Sequence, residues 1–410
     1  MMRGMTAAGT LTIDNARIWT ATDDEIVDGA IHVRDGIVEA ITDAGTLDGR
    51  PVLDARERVV IPGLVDAHFH AYGIGLDMLV MEATPLSYVT AKASKRLGGA
   101  LRRGFTTVRD VAGGDIGLQR AIDEGLIAGP RYLFTGPALS QTGGHGDPRP
   151  GDLAVDTCCH HTSEVVDGVE PLRVAVRERF RTGAHAIKIM TSGGVISLTD
   201  PLRIPQYSPE EVRAVCDEAI RRGSYVAAHA YSPEAIVHSV TNGVRSIEHG
   251  NLLDAATAHV MARSGALLVP TLATYDAMGR RVDEIGLTPV QKAKNLEVLD
   301  HGKRAIDIAA EEGVTIGFGT DLMGDLEDDQ LQGLRLQHEV MGTAGVLRAA
   351  TRGNAELIGD DRVGRVGEGS FADLVILARD PFDEPDALWD PADDARDVVL
   401  NGIPLVAGKS

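Results

Sequence analysis

Eight short apolar segments alternate with amphipathic helical stretches through the middle of this 410-residue chain. Parallel strands joined by helices produce this alternation, because each connection must return the chain to the same end of the sheet. We predict strands at 59–67, 105–109, 132–137, 186–190, 225–229, 244–248, 267–271 and 314–320. We predict helices at 86–103, 171–182, 209–222, 233–242, 254–264, 289–312, 329–341 and 344–358. Eight βα units favour an α/β fold, a (β/α)8 barrel of the TIM type.

The two ends of the chain differ from this middle part. Short alternating strands separated by turn residues occupy 11–55, and the same pattern returns over 363–407. We therefore predict one small β-sandwich built from both chain termini. The predicted division is 1–58 and 361–410 for the sandwich and 59–360 for the catalytic barrel.

Charge and composition limit the possible partners. The net charge of −20 argues against binding to nucleic acid and to anionic membranes. No apolar run approaches the roughly 18 residues that span a bilayer, and 1–10 lacks the apolar stretch of a secretory signal. We expect a cytoplasmic protein, and a homo-oligomer because closed assemblies are common.

The cysteines do not indicate a structural framework. There are three, Cys158, Cys159 and Cys216, and their odd number and spacing argue against disulfides and against a cysteine-rich zinc site. Cys158 and Cys159 precede two histidines, and we interpret this segment as a polar loop rather than a second metal cluster.

Polar residues close five of the predicted barrel strands. Barrel active sites lie at the carboxyl ends of the strands, so these side chains are expected to converge. His68 and His70 share one face of their strand because they are two residues apart. The complete set is His68, His70, Lys188, His229, His249 and Asp321.

This set predicts a metal centre. Neutral imidazoles and carboxylates bind Zn²⁺, and a catalytic zinc takes only three protein ligands, so six donors favour two ions. Lys188 is costly to bury as an ammonium group. It either pairs with a buried carboxylate or, as we favour, is carboxylated by CO2 to a carbamate that bridges the ions. His68, His70 and Asp321 would then hold one ion and His229 and His249 the other, with Zn²⁺, Mn²⁺ and Co²⁺ all compatible.

The same segments resemble the amidohydrolase superfamily over nearly the whole chain. The matching segments are 62–70, 187–189, 229–230, 248–250, 319–321 and 369–375. Within the superfamily, 143–146 and 188–194 resemble the prolidase-like, Xaa-Arg dipeptidase and ochratoxinase group. The resemblance implies a binuclear zinc hydrolase of the carboxypeptidase type that cleaves amide bonds in small dipeptides or N-acyl amino acids.

In the predicted reaction, a metal-bridging hydroxide attacks the scissile carbonyl, and Asp321 passes its proton to the leaving amine. His145 is the candidate donor to the oxyanion, with a solvent-exposed loop histidine as the alternative. Tyr231 would bind the substrate, or else only pack. Gly193 and Gly194 would offer backbone N–H groups, and Arg203 would hold a substrate carboxylate or remain a surface charge.

Other interpretations stay open at this point. A cyclic-amide hydrolase or deaminase of the imidazolonepropionase type shares the first histidine pair, but it lacks the lysine bridge. A carbamate or lactone hydrolase, or a scaffold that has lost its metals, is also compatible with the barrel. The acidic segment 325–329 is either a solvated loop or a determinant of substrate charge.

Overall fold

The computed structural model describes residues 8–23, 25–150, 161–198 and 200–405. Residues 1–7 and the pair Cys158 and Cys159 lie outside the described residues, while Cys216 is a buried free thiol. The strands are β1 (Leu11–Trp19), β2 (Ile26–Arg34), β3 (Ile37–Thr42), β4 (Val52–Asp54), β5 (Val59–Pro62), β6 (Leu64–Phe69), β7 (Phe105–Asp110), β8 (Arg131–Phe134), β9 (Ala138–Ser140), β10 (Ser163–Val165), β11 (Ile187–Met190), β12 (Val226–Ala230), β13 (Ser246–His249), β14 (Leu267–Val269), β15 (Leu374–Leu377), β16 (Arg396–Leu400) and β17 (Ile403–Pro404).

Twelve α-helices lie within the described residues. They are α1 (Met78–Ala83), α2 (Leu86–Arg102), α3 (Ile116–Asp123), α4 (Val169–Arg181), α5 (Pro209–Arg221), α6 (Pro233–Thr241), α7 (Ala255–Ser264), α8 (Leu272–Arg280), α9 (Val282–Ile285), α10 (Pro289–Glu311), α11 (Gln330–Arg348) and α12 (Asn354–Ile358). Short 3₁₀ turns cover Gly324–Asp329 and Pro385–Leu388, and a π turn covers Ala349–Gly353. None of the helices in the described ranges is long and apolar enough to cross a membrane.

Capping residues set the start of several helices. Ser208 and Glu211 form a capping box at α5, and Thr288 and Gln291 form another at α10. A proline follows each cap, where its missing N–H costs no hydrogen bond. These local signals explain why the predicted starts at 209 and 289 agree with the structure.

The middle of the chain forms two parallel sheets. One has the order β10-β9-β11-β12-β13-β14 and the other β6-β7-β8. Helices cover the larger sheet, where Ile187 and Ile189 of β11 share a buried core with Val212 and Val215 of α5. The α/β class predicted from the alternation is confirmed.

The predicted strand at 314–320 is wrong as a regular strand. This segment still runs between the two sheets, since Leu268 N donates to Thr315 O and Ala67 N donates to Phe318 O. The side chain of Asn354 interrupts the ladder, accepting from Phe318 N at 3.0 Å and donating to the Phe318 carbonyl at 2.8 Å. A side-chain amide thus occupies Phe318 N and the Val65 carbonyl, which would otherwise be free to pair in the ladder between this segment and β6.

Strands from both ends of the chain pair in one further sheet. Its order is β17-β16-β15-β5-β1-β2-β3, with β4 added beside β1. The predicted strand 59–67 is divided here, because β5 belongs to this sheet and β6 to the parallel one. Gly63 forms the break, and a Cβ there would lie 1.9 Å from Thr106 Oγ1, so only glycine fits.

Candidate active site

Eight of the predicted site residues line one pocket of about 800 Å³. The strands deliver them from their carboxyl ends: β6 leads into the first two histidines, and β12 and β13 carry the next two near their last residues. The lining members of the predicted set are His68, His70, His145, Lys188, His229, Tyr231, His249 and Asp321.

Three of these residues form a compact cluster of donors. His68, His249 and Asp321 each offer a ligand atom, and these atoms lie within 4.8 Å of one another. Asp321 Oδ1 lies 3.4 Å from His68 Nε2 and 2.8 Å from His70 Nε2. Burial alone would raise the pKa of Asp321, but the adjacent imidazoles hold it well below its usual range. An ionised carboxylate beside imidazoles can bind a divalent cation.

His229 adjoins this cluster, and Lys188 lines the same pocket. The ring of His229 is centred 4.4 Å from that of His249. Burial lowers the pKa of both histidines well below the normal value, so their imidazoles are neutral, as metal binding requires. Lys188 is 1% exposed, and burial lowers its pKa to about 8, although the negative charges of Glu248 and Asp321 act to raise it.

Two of the clustered residues have a strained backbone. His249 has φ 75° and Asp321 has φ 56°, in the left-handed region that residues with a side chain rarely adopt. Such strain persists only where the surroundings hold it, and it concentrates at functional sites. No sequence signal reveals it.

Sequence reasoning missed a buried ion pair behind the cluster. Glu248 accepts from Arg109 at 2.7 Å and contacts His68 Nδ1 at 2.7 Å, and the Glu248 and Arg109 side chains are both fully buried. Burial would raise the pKa of Glu248, but Arg109 and His68 hold it well below normal. A carboxylate on Nδ1 orients the ring so that Nε2 can bind a metal. The available signal was a charged residue within each of two predicted barrel strands, Arg109 in β7 and Glu248 in β13.

Asp66 fixes the two chain segments that carry His68 and Asp321. It accepts from His68 N at 3.1 Å and from Thr320 Oγ1 at 2.6 Å, and it also accepts from Gln330 Nε2 at 3.0 Å. The carboxylate is fully buried, and this desolvation raises its pKa.

Arg96 of α2 also holds these two segments together. Its guanidinium donates to the carbonyls of His70 at 3.2 Å, Leu322 at 2.8 Å and Gly324 at 2.9 Å. It also pairs with Glu327 at 3.1 Å, so this carboxylate of the acidic segment is engaged by a buried arginine.

His145 lies against His229, with ring centres 4.2 Å apart and an interplanar angle of 19°. Its Nδ1 contacts Ser197 Oγ at 2.9 Å, and burial lowers its pKa. A Cβ on Gly194 would lie 2.1 Å from this ring, so that glycine makes room for His145. Gly193 directs its carbonyl to His229 Nε2 at 3.2 Å. Neither glycine is among the lining residues.

Tyr231 belongs to a chain of hydroxyl groups that reaches His249. Its hydroxyl lies 2.7 Å from that of Tyr275, which is 2.8 Å from His249 Nδ1. Thr271 Oγ1 also contacts this nitrogen, at 2.7 Å. These contacts fix the tilt of the His249 ring.

Arg203 lies away from the pocket. Its side chain is 55% exposed and pairs with Glu297 at 2.7 Å on the surface. It is not among the residues that line the pocket.

Comparison with known proteins shows the family to which the chain is related. The model of the amidohydrolase family matches residues 59–403. The ochratoxinase of Aspergillus niger is 32% identical over 360 residues, which cover 82% of this chain and 73% of the relative. The crystal structure of an amidohydrolase superimposes with a TM-score of 0.94 at 38% identity, covering 97% of this chain and 99% of its own.

A prolidase structure complexed with N-methylphosphonate-L-proline matches almost as well. Its TM-score is 0.93 at 37% identity, and the match covers 97% of this chain and 99% of the prolidase. The match confirms the resemblance to the prolidase-like and ochratoxinase group that the sequence motifs predicted. The chain belongs to the amidohydrolase family and is a hydrolase that acts on amide bonds.

Proposed function

We propose that this chain is a binuclear metal-dependent hydrolase that cleaves the amide bond of dipeptides or N-acyl amino acids. The cluster of His68, His249 and Asp321 within one pocket carries the proposal. The relatives support it, since one is described as a prolidase and another as an ochratoxinase.

The donor set fits two divalent cations, most simply Zn²⁺. His68, His70 and Asp321 would hold one ion and His229 and His249 the other. Burial keeps His229 and His249 neutral, and the Glu248 contact leaves His68 Nε2 as the ligand atom. When bound, the ions would supply a water nucleophile at neutral pH and polarise the scissile carbonyl.

Lys188 would be the bridge, as a carbamate. The neutral amine attacks CO2, a C–N bond forms, and one proton leaves to solvent. With a pKa of about 8, roughly a quarter of the amine is neutral at pH 7.5, against about 0.1% for an unperturbed lysine. The product is an anion that offers two oxygen ligands where the ammonium group offers none.

Three residues would perform the remaining steps. Asp321 would accept the proton of the attacking water and deliver it to the leaving nitrogen. His145 would donate a hydrogen bond to the developing oxyanion, and the Tyr231 hydroxyl would bind the substrate. The substrate-binding roles of Gly193, Gly194 and Arg203 remain predictions, and Arg203 has the least support because it is exposed and paired with Glu297.

The test is amine release from a library of dipeptides and N-acyl amino acids, with zinc-loaded protein and added bicarbonate. Lys188→Ala should lose turnover, and a short carboxylic acid such as propionate should restore part of it by replacing the bridging oxygens. Lys303→Ala, which removes an exposed lysine paired with Glu339, is the matched control and should keep full activity.

Metal analysis separates the competing functions. Two ions per chain and turnover of the library would support the proposal. One ion per chain, with turnover of cyclic amides or release of ammonia instead, would favour the imidazolonepropionase or deaminase alternative. Silence across both substrate sets from metal-loaded protein would refute the amino-acid amidase and direct attention to carbamates and lactones.

The proposal also covers the closure of the barrel and the division of the chain into domains. We infer that the two parallel sheets and the segment 314–320 close into a (β/α)8 barrel, supported by the hydrogen bond from His185 N to Phe134 O between β8 and β11. The predicted boundaries are 58/59 and 360/361; because β5 pairs with β1 and β15, we propose that the β-sandwich includes β5 and that its first boundary lies after Pro62. A cytoplasmic location and a homo-oligomeric state also remain predictions.

A further inference from the structure

The pocket wall beyond the metal donors is mostly apolar, and the hydroxyl groups of its Thr162 and Ser163 already donate within the protein, to Glu82 and to the Gly146 carbonyl. This wall is built by the loop and helix α1 that follow β6, and by the end of β11 together with the loop after it. Helix α8 and the turn after Asp321 complete it. Methionine is the commonest residue in this wall. Its large apolar members are Leu76, Met78, Met81, Met190, Val195, Ile196, Met278 and Met323.

No charged side chain of the described lining is left to pair with an ionic group on the acyl part of the substrate. Apart from the imidazoles, Lys188 and Asp321 carry the charged groups, and both belong to the proposed metal centre. The nearby Lys294 has its ammonium group occupied by the carbonyls of Gly194, Ser197 and Asp200, each within 2.9 Å.

The acidic segment 325–329 does not add a charged group to the pocket wall. Glu327 pairs with buried Arg96, and Asp329 pairs with Arg280 at 2.9 Å. Neither carboxylate is among the lining residues. None of residues 325–329 is among the lining residues, so the inference about the substrate rests on the apolar wall and not on this segment.

We infer that the pocket selects amides whose acyl group is long, uncharged and apolar. This inference rests on the proposed function and narrows its substrate class to N-acyl amino acids, because the acyl half of a dipeptide carries a charged ammonium group. Burying apolar surface favours such a group, whereas a charged acyl group would lose its hydration without gaining a partner. Methionine side chains are unbranched and adaptable, so the wall should accept straight and aromatic acyl groups alike.

The test is a series of N-acetyl, N-butanoyl and N-hexanoyl derivatives of L-proline and of L-phenylalanine. Each added methylene should raise kcat/KM about twofold to fourfold, depending on how completely it is buried. N-succinyl derivatives match the butanoyl ones in carbon number but carry a carboxylate, and their kcat/KM should be at least about 30-fold lower.

Two variants on the same helix locate the effect. Met78 of α1 lines the pocket, whereas Val80 of α1 is 59% exposed and does not. Met78→Glu should remove most of the gain in kcat/KM from the acetyl to the hexanoyl compounds. Val80→Glu should leave the whole series unchanged.

The outcomes distinguish a failure of the apolar selectivity from a failure of the proposed function. Hydrolysis of the N-acetyl compounds without any rise along the series would overturn the apolar selectivity and leave the proposed function standing. Equal turnover of succinyl and butanoyl compounds would also overturn it. Failure to hydrolyse any member, together with silence of the dipeptide library, would refute the proposed function itself.

Discussion

Replacing Glu248 by glutamine should destabilise the protein far more than the same change on the surface. Glu248 lies 2.7 Å from both Arg109 Nη2 and His68 Nδ1, and the side chains of Glu248 and Arg109 are 0% exposed. Glutamine has nearly the same shape but no charge. The substitution therefore leaves the guanidinium of Arg109 buried without a counterion.

The expected cost is about 3–5 kcal/mol, the range for removing one partner of a buried ion pair. Arg109 retains hydrogen bonds to the Ala67 carbonyl at 2.7 Å and to the Tyr225 hydroxyl at 3.4 Å, which places the loss toward the lower end of that range. Because proteins are stable by only about 5–15 kcal/mol, this loss should be easily measured.

The assay is equilibrium urea unfolding of chelator-treated protein, so that metal binding does not contribute. The matched control is Glu297→Gln, which breaks the Arg203–Glu297 pair at the same 2.7 Å distance but with side chains 55% and 38% exposed. An exposed pair contributes at most about 1 kcal/mol. Similar midpoints for the two variants would refute the reasoning that burial governs the cost.

A double variant tests whether the unpaired charge of Arg109 causes the loss of stability. Adding Arg109→Met to Glu248→Gln removes the uncompensated charge, so the double variant should be more stable than Glu248→Gln alone. Strictly additive losses would mean that the two groups act independently. In zinc titrations, Glu248→Gln should also weaken metal binding about 10- to 100-fold, since the His68 ring loses its orienting carboxylate.

Three further perturbations have defined outcomes. Gly194→Ala should displace the His145 ring and lower kcat without lowering the melting temperature by more than a few degrees, whereas Gly75→Ala, where a Cβ meets nothing within 4 Å, should be silent in both assays. Burial lowers the pKa of His185 to about 4, so the unfolded chain binds a proton more readily. Stability should therefore fall by up to about 2 kcal/mol between pH 7 and pH 5 in urea titrations, and His185→Leu should flatten that fall. Arg96→Lys keeps a positive charge but cannot reach three carbonyls at once, and it should release zinc to a chelator about 10- to 100-fold more readily. An unchanged release rate would remove Arg96 from the positioning of the ligands.

Local sequence signals predicted the elements well where those signals control the backbone. The helix starts at 209 and 289 follow from capping boxes with a proline at the first helical position. The predicted interruption between 341 and 344 coincides with Gly342, whose φ of 68° breaks the helical geometry within α11. The prediction of a regular strand at 314–320 was wrong because a distant side chain, that of Asn354, inserts between this segment and β6 and accepts from Phe318 N. No local pattern reports such a contact.

The sequence by itself determined the α/β class, the family and the eight residues that meet in the pocket. It could do so because side chains at the carboxyl ends of parallel strands converge, whatever the details of packing. Only the tertiary structure decided how those residues are held. The pairing of Arg109 with Glu248 joins residues 139 positions apart, and Arg96 reaches carbonyls more than 200 positions away. Which apolar side chains form the pocket wall also depends on how loops from several strands fold over the site, and periodicity along the chain carries no information about that.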